Sequence, residues 1–388
     1  MHAICEDIRR HVLKEIDLTK ECSDEELQDI ISKIASDFYK RYDISIIERV
    51  KIEEKVFNSL RGFDILQELI DDPSITEIMV NGPNHIFYEK EGIIERFDQC
   101  FANENKLQDV IQNICFRYNR SVNLSSPIVD TRLPDGSRVN IVLGGISLGG
   151  SVLSIRKFPA NPFRMEELIE KNTISAEAAE LLHSLVKQRY SIFISGGTSS
   201  GKTTFLNALS NFIPSNERII TIEDSAELQI QGIDNLIRLE TRNANTEYTK
   251  EITVRDLIKT ALRMRPDRII VGEIRGPEAI DMLSAMNTGH DGSLSTGHAN
   301  STRDILSRIE TMTLMGMDIP LAAIRQQICS GIDVIVQMKR MADKSRKVVE
   351  IAEIDGLRHG EIQVHPLYQW KDNQLVKVGE LKNKKDYL

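Results

Sequence analysis

No stretch of this chain reaches the roughly 18 apolar residues that a membrane-crossing helix needs. The nearest, VNIVLGGISLGGSVLSI over 139–155, carries no charge, but paired glycines break it and it alternates like strands. The N-terminus MHAICEDIRRHV mixes acids with bases around no apolar core, so it does not read as a signal peptide. The expectation is a cytoplasmic chain, with peripheral attachment at the inner face of a membrane left open. Cysteine is sparse. Cys5, Cys22, Cys100, Cys115 and Cys329 are scattered and none forms a C-x-x-C pair, which excludes a zinc signature and a disulfide framework. Positive charge is not in excess either. The net charge of -9 argues against a protein that coats duplex DNA, so no direct nucleic-acid contact is expected.

What remains is the composition of an ordinary soluble globular protein, 41% hydrophobic and 28% charged. Its 388 residues suffice for two or three domains. Residues 1–60 contain neither proline nor glycine and read as a helical extension. Ser23 is an N-cap followed by acids, and Leu27, Ile30, Ile31 and Ile34 recur at helical spacing. With 14 acidic and 10 basic residues, the segment presents a solvated amphipathic face or a docking module for a partner.

Residues 61–158 change character. DILQELIDDP is a short helix stopped by Pro73. ITEIMVNG, HIFYEKEGIIERF, VDTRLPDGSRVNIVL and GSVLSIRKF read as strands around the amphipathic helix NKLQDVIQNICFRYNR, an α+β, PAS-like domain with an antiparallel sheet. Residues 159–165, with two prolines, form a linker. From 166 to 388 apolar strands alternate with helices, which predicts an α/β domain with a parallel sheet covered on both faces.

Three strand ends in that domain carry chemistry. GGTSSGKTT (Gly196, Gly197, Thr198, Ser199, Ser200, Gly201, Lys202, Thr203, Thr204) follows an apolar strand and opens a helix, the context a phosphate-binding loop requires. Its glycines let backbone N–H groups close around ATP phosphates, Lys202 reaches the β and γ phosphates, and Thr203 ligates Mg2+. DRIIVGEIRG ends in Glu273, a carboxylate suited to hold magnesium through water; Gly272 stands where an aspartate is more usual. RIITIEDSAEL ends in Glu223 and Asp224, and Glu223 can activate the attacking water or simply cap the next helix.

These motifs in this order resemble the secretion-ATPase superfamily that serves type II and type IV secretion and type IV pili. TIEDSAEL looks like its Asp box and GHDGSLSTGHANS like its His box. ITEIMVNGP, VDTRLPDGSRVNIV and SIRKFP are similar to the N-terminal domain of the CpaF branch, the ATPases of Tad pili. The resemblance spans residues 60–340 or so. It implies a C-terminal RecA-like P-loop ATPase domain and a homo-hexameric ring docked on inner-membrane pilus or secretion platform proteins. It also implies that arginines of the N-terminal domain reach the phosphates. Arg138 and Arg156 match that role, and Arg132 and Arg242 are further candidates.

The stretch NTGHDGSLSTGHANS, 287–301, holds His290 and His298, each after a glycine. Zinc wants three or four ligands, and the nearest other ligand type is Asp291. Packing and contact with the γ-phosphate are the competing readings. The second is adopted, because the stretch lies where strand ends face a nucleotide crevice. On it His298 senses the γ-phosphate and His290 supports the same loop, with Gly289, Gly292 and Gly297 giving the backbone freedom to rearrange. The functional expectation is a hexameric, Mg-dependent ATPase that powers assembly of a Tad/type IV-like pilus, with retraction also open. The rivals are a DNA-transfer motor of a conjugation-type system and a nucleotide-gated scaffold with little turnover.

Overall fold

The computed structural model describes residues 2–16, 22–40, 42, 44–90, 92–118, 120–158, 162–242 and 250–383. The chain divides into two compact units, Met1–Ala160 and Asn161–Leu388. Of the proline-bearing linker, residues 159–161 lie outside the described residues.

Unit 1 begins with three helices, α1 (His2–Glu15), α2 (Asp24–Tyr39) and α3 (Ile46–Leu60). Ser23 and Ser45 cap the second and third, and Glu26 and Glu48 return the bond to close capping boxes. Their apolar stripes meet in a small core of Ile8, Val12, Leu27, Ile31, Ile52 and Val56. A 3-10 turn and α4 (Gln67–Asp71) lead into strands β1 (Ile75–Asn81), β2 (Ile86–Lys90) and β3 (Ile93–Arg96). Helix α5 (Glu104–Arg117) precedes β4 (Ile128–Arg132), β5 (Arg138–Val142) and β6 (Val152–Arg156). The sheet order is β3-β2-β1-β6-β5-β4 and every pairing is antiparallel. Val139, Ile141, Leu153 and Ile155 share a core with Leu107, Ile111 and Ile114 of α5. The period-two alternation therefore turns Arg138 and Arg156 to the opposite face of the sheet.

Unit 2 opens with α6 (Met165–Glu170) and α7 (Ala176–Lys187), then β7 (Ile192–Gly196), α8 (Lys202–Ser210), β8 (Ile219–Glu223) and β9 (Leu236–Glu240). There follow α9 (Val254–Ala261), β10 (Arg268–Ile274), α10 (Ala279–Met286), β11 (Leu294–His298), α11 (Thr302–Gly316) and α12 (Leu321–Gly331). Four more strands close the chain, β12 (Val334–Arg340), β13 (Arg346–Arg358), β14 (Glu361–Lys371) and β15 (Gln374–Lys377). The sheet runs β15-β14-β13-β12-β7-β11-β10-β8-β9. From β12 to β9 all neighbours are parallel, and Ile192 and Ile194 enter one core while Phe193 enters the other. Helices thus cover both faces, as the apolar strands require.

Beyond β12 the sheet departs from the sequence expectation. β13, β14 and β15 add antiparallel strands to the parallel core, joined by tight turns. His359-Gly360 and Asp372-Asn373 both take positive φ at two successive positions, the backbone that matches the twist of a two-residue hairpin.

Candidate active site

The phosphate loop links β7 to α8 at the carboxyl end of the parallel strands. A Cβ on Gly196 would collide with Ser200 Oγ and lie 2.8 Å from the Met338 carbonyl oxygen, so glycine is required there. Gly201 is left-handed (φ 91) and Ser199 also has positive φ (57), which folds the loop back so that α8 starts at Lys202. Thr198 and Ser199 stand exposed at the crest while Ser200 is buried. The first N–H groups of α8, at Lys202, Thr203 and Thr204, have no carbonyl of their own helix and favour an anion.

β11 lies beside β7, with His298 opposite Gly196. β10 lies beside β11, and β8 beside β10. The register brings Lys202, His298 and Glu273 into one chain of contacts. Lys202 Nζ donates to the Gly197 carbonyl at 3.0 Å and lies 3.2 Å from His298 Nδ1. His298 Nε2 lies 2.6 Å from Glu273 Oε1. That oxygen is buried yet receives no well-aligned hydrogen bond, so the contact is close without being linear. The other oxygen, Oε2, accepts from Arg275 Nη2 at 2.7 Å, and Arg275 Nη1 reaches Asp224 Oδ2 at 3.6 Å. Five charged or titratable groups from four loop and strand ends therefore touch in sequence.

Their electrostatics follow from burial and from one another. Burial lowers the Lys202 pKa, and Glu273 works against that shift. Burial and the charge of Lys202 hold His298 below its ordinary value of 6.5, with Glu273 opposing. The imidazole is thus neutral near pH 7, with Nδ1 turned to the ammonium as acceptor and the proton on Nε2. The hydrogen bond to Glu273 keeps Arg275 charged far above any working pH.

Glu223, at the end of β8, is 3% exposed. Its Oε1 accepts from the backbone N–H groups of Glu227 (2.7 Å) and Leu228 (2.9 Å). Its Oε2 is buried without a partner. One oxygen thus does the capping work and the other is left for something else. Burial raises the carboxyl pKa, and the two backbone donors oppose the rise. Gly272 on the neighbouring strand makes room for it, since a Cβ there would sit 3.0 Å from Glu223 Cγ. An aspartate at 272 would press on the glutamate.

Glu273 Oε1, buried and without a well-aligned donor, is an oxygen of the kind magnesium and its waters take. Among the described residues no group of three or more His, Cys, Asp or Glu could itself enclose a metal.

Two expectations need correction. His290 does not support the loop of His298. It precedes β11 and His298 ends it, so the strand separates them by roughly 16 Å. His290 Nδ1 instead lies 3.2 Å from the Ala285 carbonyl. Gly289 and Gly292 do take positive φ, but Gly297 is an ordinary strand residue. A Cβ at 297 would lie 3.0 Å from both Phe193 and Ile305, so its glycine serves close packing rather than movement.

Arg275 was not singled out in the sequence; its position two residues after Glu273 was the only available signal. The N-terminal arginines form a row across unit 1. Arg132 pairs with Arg138 across β4 and β5, and Arg138 with Arg156 across β5 and β6. Arg242, after β9, donates to the Lys250 carbonyl at 3.3 Å.

The family described as type II/IV secretion system protein matches residues 59–374. An uncharacterized protein of Methanocaldococcus jannaschii is 40% identical over 278 residues, 69% of this chain and 38% of its own length. The chain therefore spans well under half of that relative. The conjugal transfer protein TrbB of Rhizobium radiobacter is 30% identical over 319 residues, covering 81% of this chain and 94% of TrbB. Among solved structures, the pilus retraction motor PilT with bound ADP superposes with a TM-score of 0.54 at 20% identity, over 83% of this chain and 84% of PilT. That likeness speaks to the fold.

Proposed function

The chain belongs to the type II/IV secretion system protein family, and on that footing we propose that it is a Mg-dependent ATPase motor. The observation that carries the reading is the contact chain from Lys202 through His298 to Glu273 at the mouth of the phosphate loop. A cation, an imidazole and a carboxylate in contact beside the phosphate loop support a γ-phosphate contact there. Lys202 and the first turn of α8 bind and orient the phosphates. Thr203 and Glu273 would hold magnesium, the latter through water, and a magnesium there would supply charge neutralisation at the phosphate oxygens. Glu223 orients and deprotonates the attacking water through its unpartnered Oε2, helped by burial that raises its carboxyl pKa.

Within the family we place the chain with the CpaF-type motors of Tad pili, as a homo-hexamer acting on inner-membrane platform proteins. Residues 1–60 then serve as a docking extension, 61–158 as the domain that supplies Arg138 and Arg156, 159–165 as a linker, and 166–388 as the RecA-like motor. The motifs ITEIMVNGP and VDTRLPDGSRVNIV support that placement. The similarity to a conjugal transfer protein favours one second reading, a DNA-transfer motor. Steady-state phosphate release separates the cases. The pilus reading expects turnover indifferent to DNA and dependent on Lys202. Turnover stimulated severalfold by DNA supports the conjugation reading, and none at any concentration leaves a scaffold.

A further inference from the structure

The acidic and histidine groups all lie on one side of the phosphate loop, on β11, β10 and β8. The other side is occupied by β12, where Met338 pairs with Gly196, and by the hairpin to β13. Because β13 runs antiparallel to β12, its first residue returns to the nucleotide edge of the sheet. The tip reads KRMADKSRK over 339–347, five basic residues and one acid. Asp343 is taken up by the turn, accepting from the N–H (2.9 Å) and hydroxyl (2.6 Å) of Ser345. Cross-strand partners are Lys339 with Lys347 and Arg340 with Arg346, like charge against like. Such pairs destabilise a hairpin unless something offsets them. Lys347 is offset, since its Nζ donates to the carbonyls of Lys171 (3.2 Å) and Asn172 (2.8 Å). Arg340 and Arg346 are both exposed, and neither guanidinium has a hydrogen-bond or carboxylate partner among the described residues.

Their direction is set by the pleat. Met338 and Val348, next on the same face, are buried in the core that Phe205 and Leu206 of α8 also enter. The arginine pair extends that face past the N-terminus of α8. The Arg346 stem lies against the last residue of the loop, with Cγ 3.5 Å and Cβ 3.7 Å from where a Cβ of Gly201 would stand. Lys202 and magnesium serve the β and γ phosphates. The α-phosphate and nucleoside end have no cation from that set.

We propose that Arg346, with Arg340 beside it, is a second nucleotide clamp that binds the α-phosphate end from the β12 side. This rests on the ATPase reading. The clamp contacts groups that ATP and ADP share, so it adds to the affinity of both equally, whereas His298 and Glu273 distinguish the two.

The test is isothermal titration of the full chain with MgATP and MgADP, for wild type, Arg346→Ala, Arg346→Lys and Lys202→Ala, with melting measured without nucleotide. Arg346→Ala is expected to weaken both nucleotides by the same factor, about tenfold to a hundredfold. Arg346→Lys should recover part of the loss, because a point charge remains without the planar fork. Melting should be unchanged or higher, since a like-charge pair is relieved. Should Arg346→Ala melt lower than wild type, Arg340→Ala takes its place with the same expectation of equal weakening. Unchanged ADP affinity, or a loss confined to ATP, overturns the clamp. The control separates the two levels of inference. If wild type binds neither nucleotide, or Lys202→Ala binds as well as wild type, the ATPase reading fails and the clamp with it. If wild type binds, Lys202→Ala is weakened and Arg346→Ala is not, the clamp alone fails.

Discussion

His298 Nε2 stands 2.6 Å from Glu273 Oε1 with the ring out of line for a straight hydrogen bond. A strand-end histidine that packs for stability would satisfy such a carboxylate; this one touches it and leaves it short of a partner. Its other nitrogen faces Lys202. A phosphate arriving beside Lys202 would draw the ammonium away from Nδ1, which could then donate to the phosphate once it carries the ring proton. On the reading proposed above, the histidine reports whether a γ-phosphate is present.

His298→Ala should accordingly bind MgADP with affinity near that of wild type and lose about 10² or more in kcat. Titration calorimetry and phosphate release check the two halves. An unchanged kcat would return His298 to a packing role.

Lys202 and Glu223 should fail in different ways. Lys202→Ala removes the cation that holds the β and γ phosphates and should abolish tight binding as well as turnover. Glu223→Gln keeps the bonds from the Glu227 and Leu228 N–H groups, so the loop stays in place. It should bind MgATP normally and hydrolyse it about 10²-fold or more slowly. Wild-type turnover by Glu223→Gln would confine Glu223 to capping.

Much of this was readable beforehand, and the exceptions have physical causes. β7, β8 and β10 are short apolar runs because both faces are buried, and that pattern needs no partner to be recognised. The phosphate loop reads as a string because its contacts are local. β13 and β14 lie at the sheet's far side with mixed burial, and no apolar run marks them. Arg275 acquires meaning only when β10 and the end of β8 bring Glu273 and Asp224 to it. His290 was misplaced because eight residues look close in sequence and span a whole strand in space.

The raised pKa of Glu223 makes a stability prediction with a definite sign. Its folded-state value lies above its unfolded value through burial. In the window between the two values the folded chain holds the extra proton, so stability falls as pH rises through it. Above the window the full cost of burying the carboxylate is present. Glu223→Gln should therefore match wild type below the unfolded value and become the more stable protein as pH rises, reaching a plateau above the folded value. Thermal melting across that range checks it. A variant less stable than wild type at neutral pH would show that the carboxylate is favourably bound as an anion.

Arg138 and Arg156 stand directly opposite one another on β5 and β6, with Arg132 next in the row and Glu77 beyond Arg156 on β1. Like charges in register oppose one another across the strands. A row of planar, permanently charged guanidinium groups suits an anion. In the ring proposed above that anion would be the nucleotide of an assembled site, where an arginine aimed at the transferring phosphoryl group can supply about 10³ to 10⁵ in rate. Arg156→Ala should then cut turnover steeply while leaving stability within about 0.5 kcal/mol of wild type, because an exposed strand arginine contributes little to the fold. The two measurements must part company: a melting temperature held and a kcat lost. Wild-type activity per subunit should also fall on dilution, as complete sites dissociate. Activity that stays constant per subunit down to monomer concentrations would mean that no second chain completes the site. If Arg156→Ala also retained full turnover, the arginine row would have no part in hydrolysis.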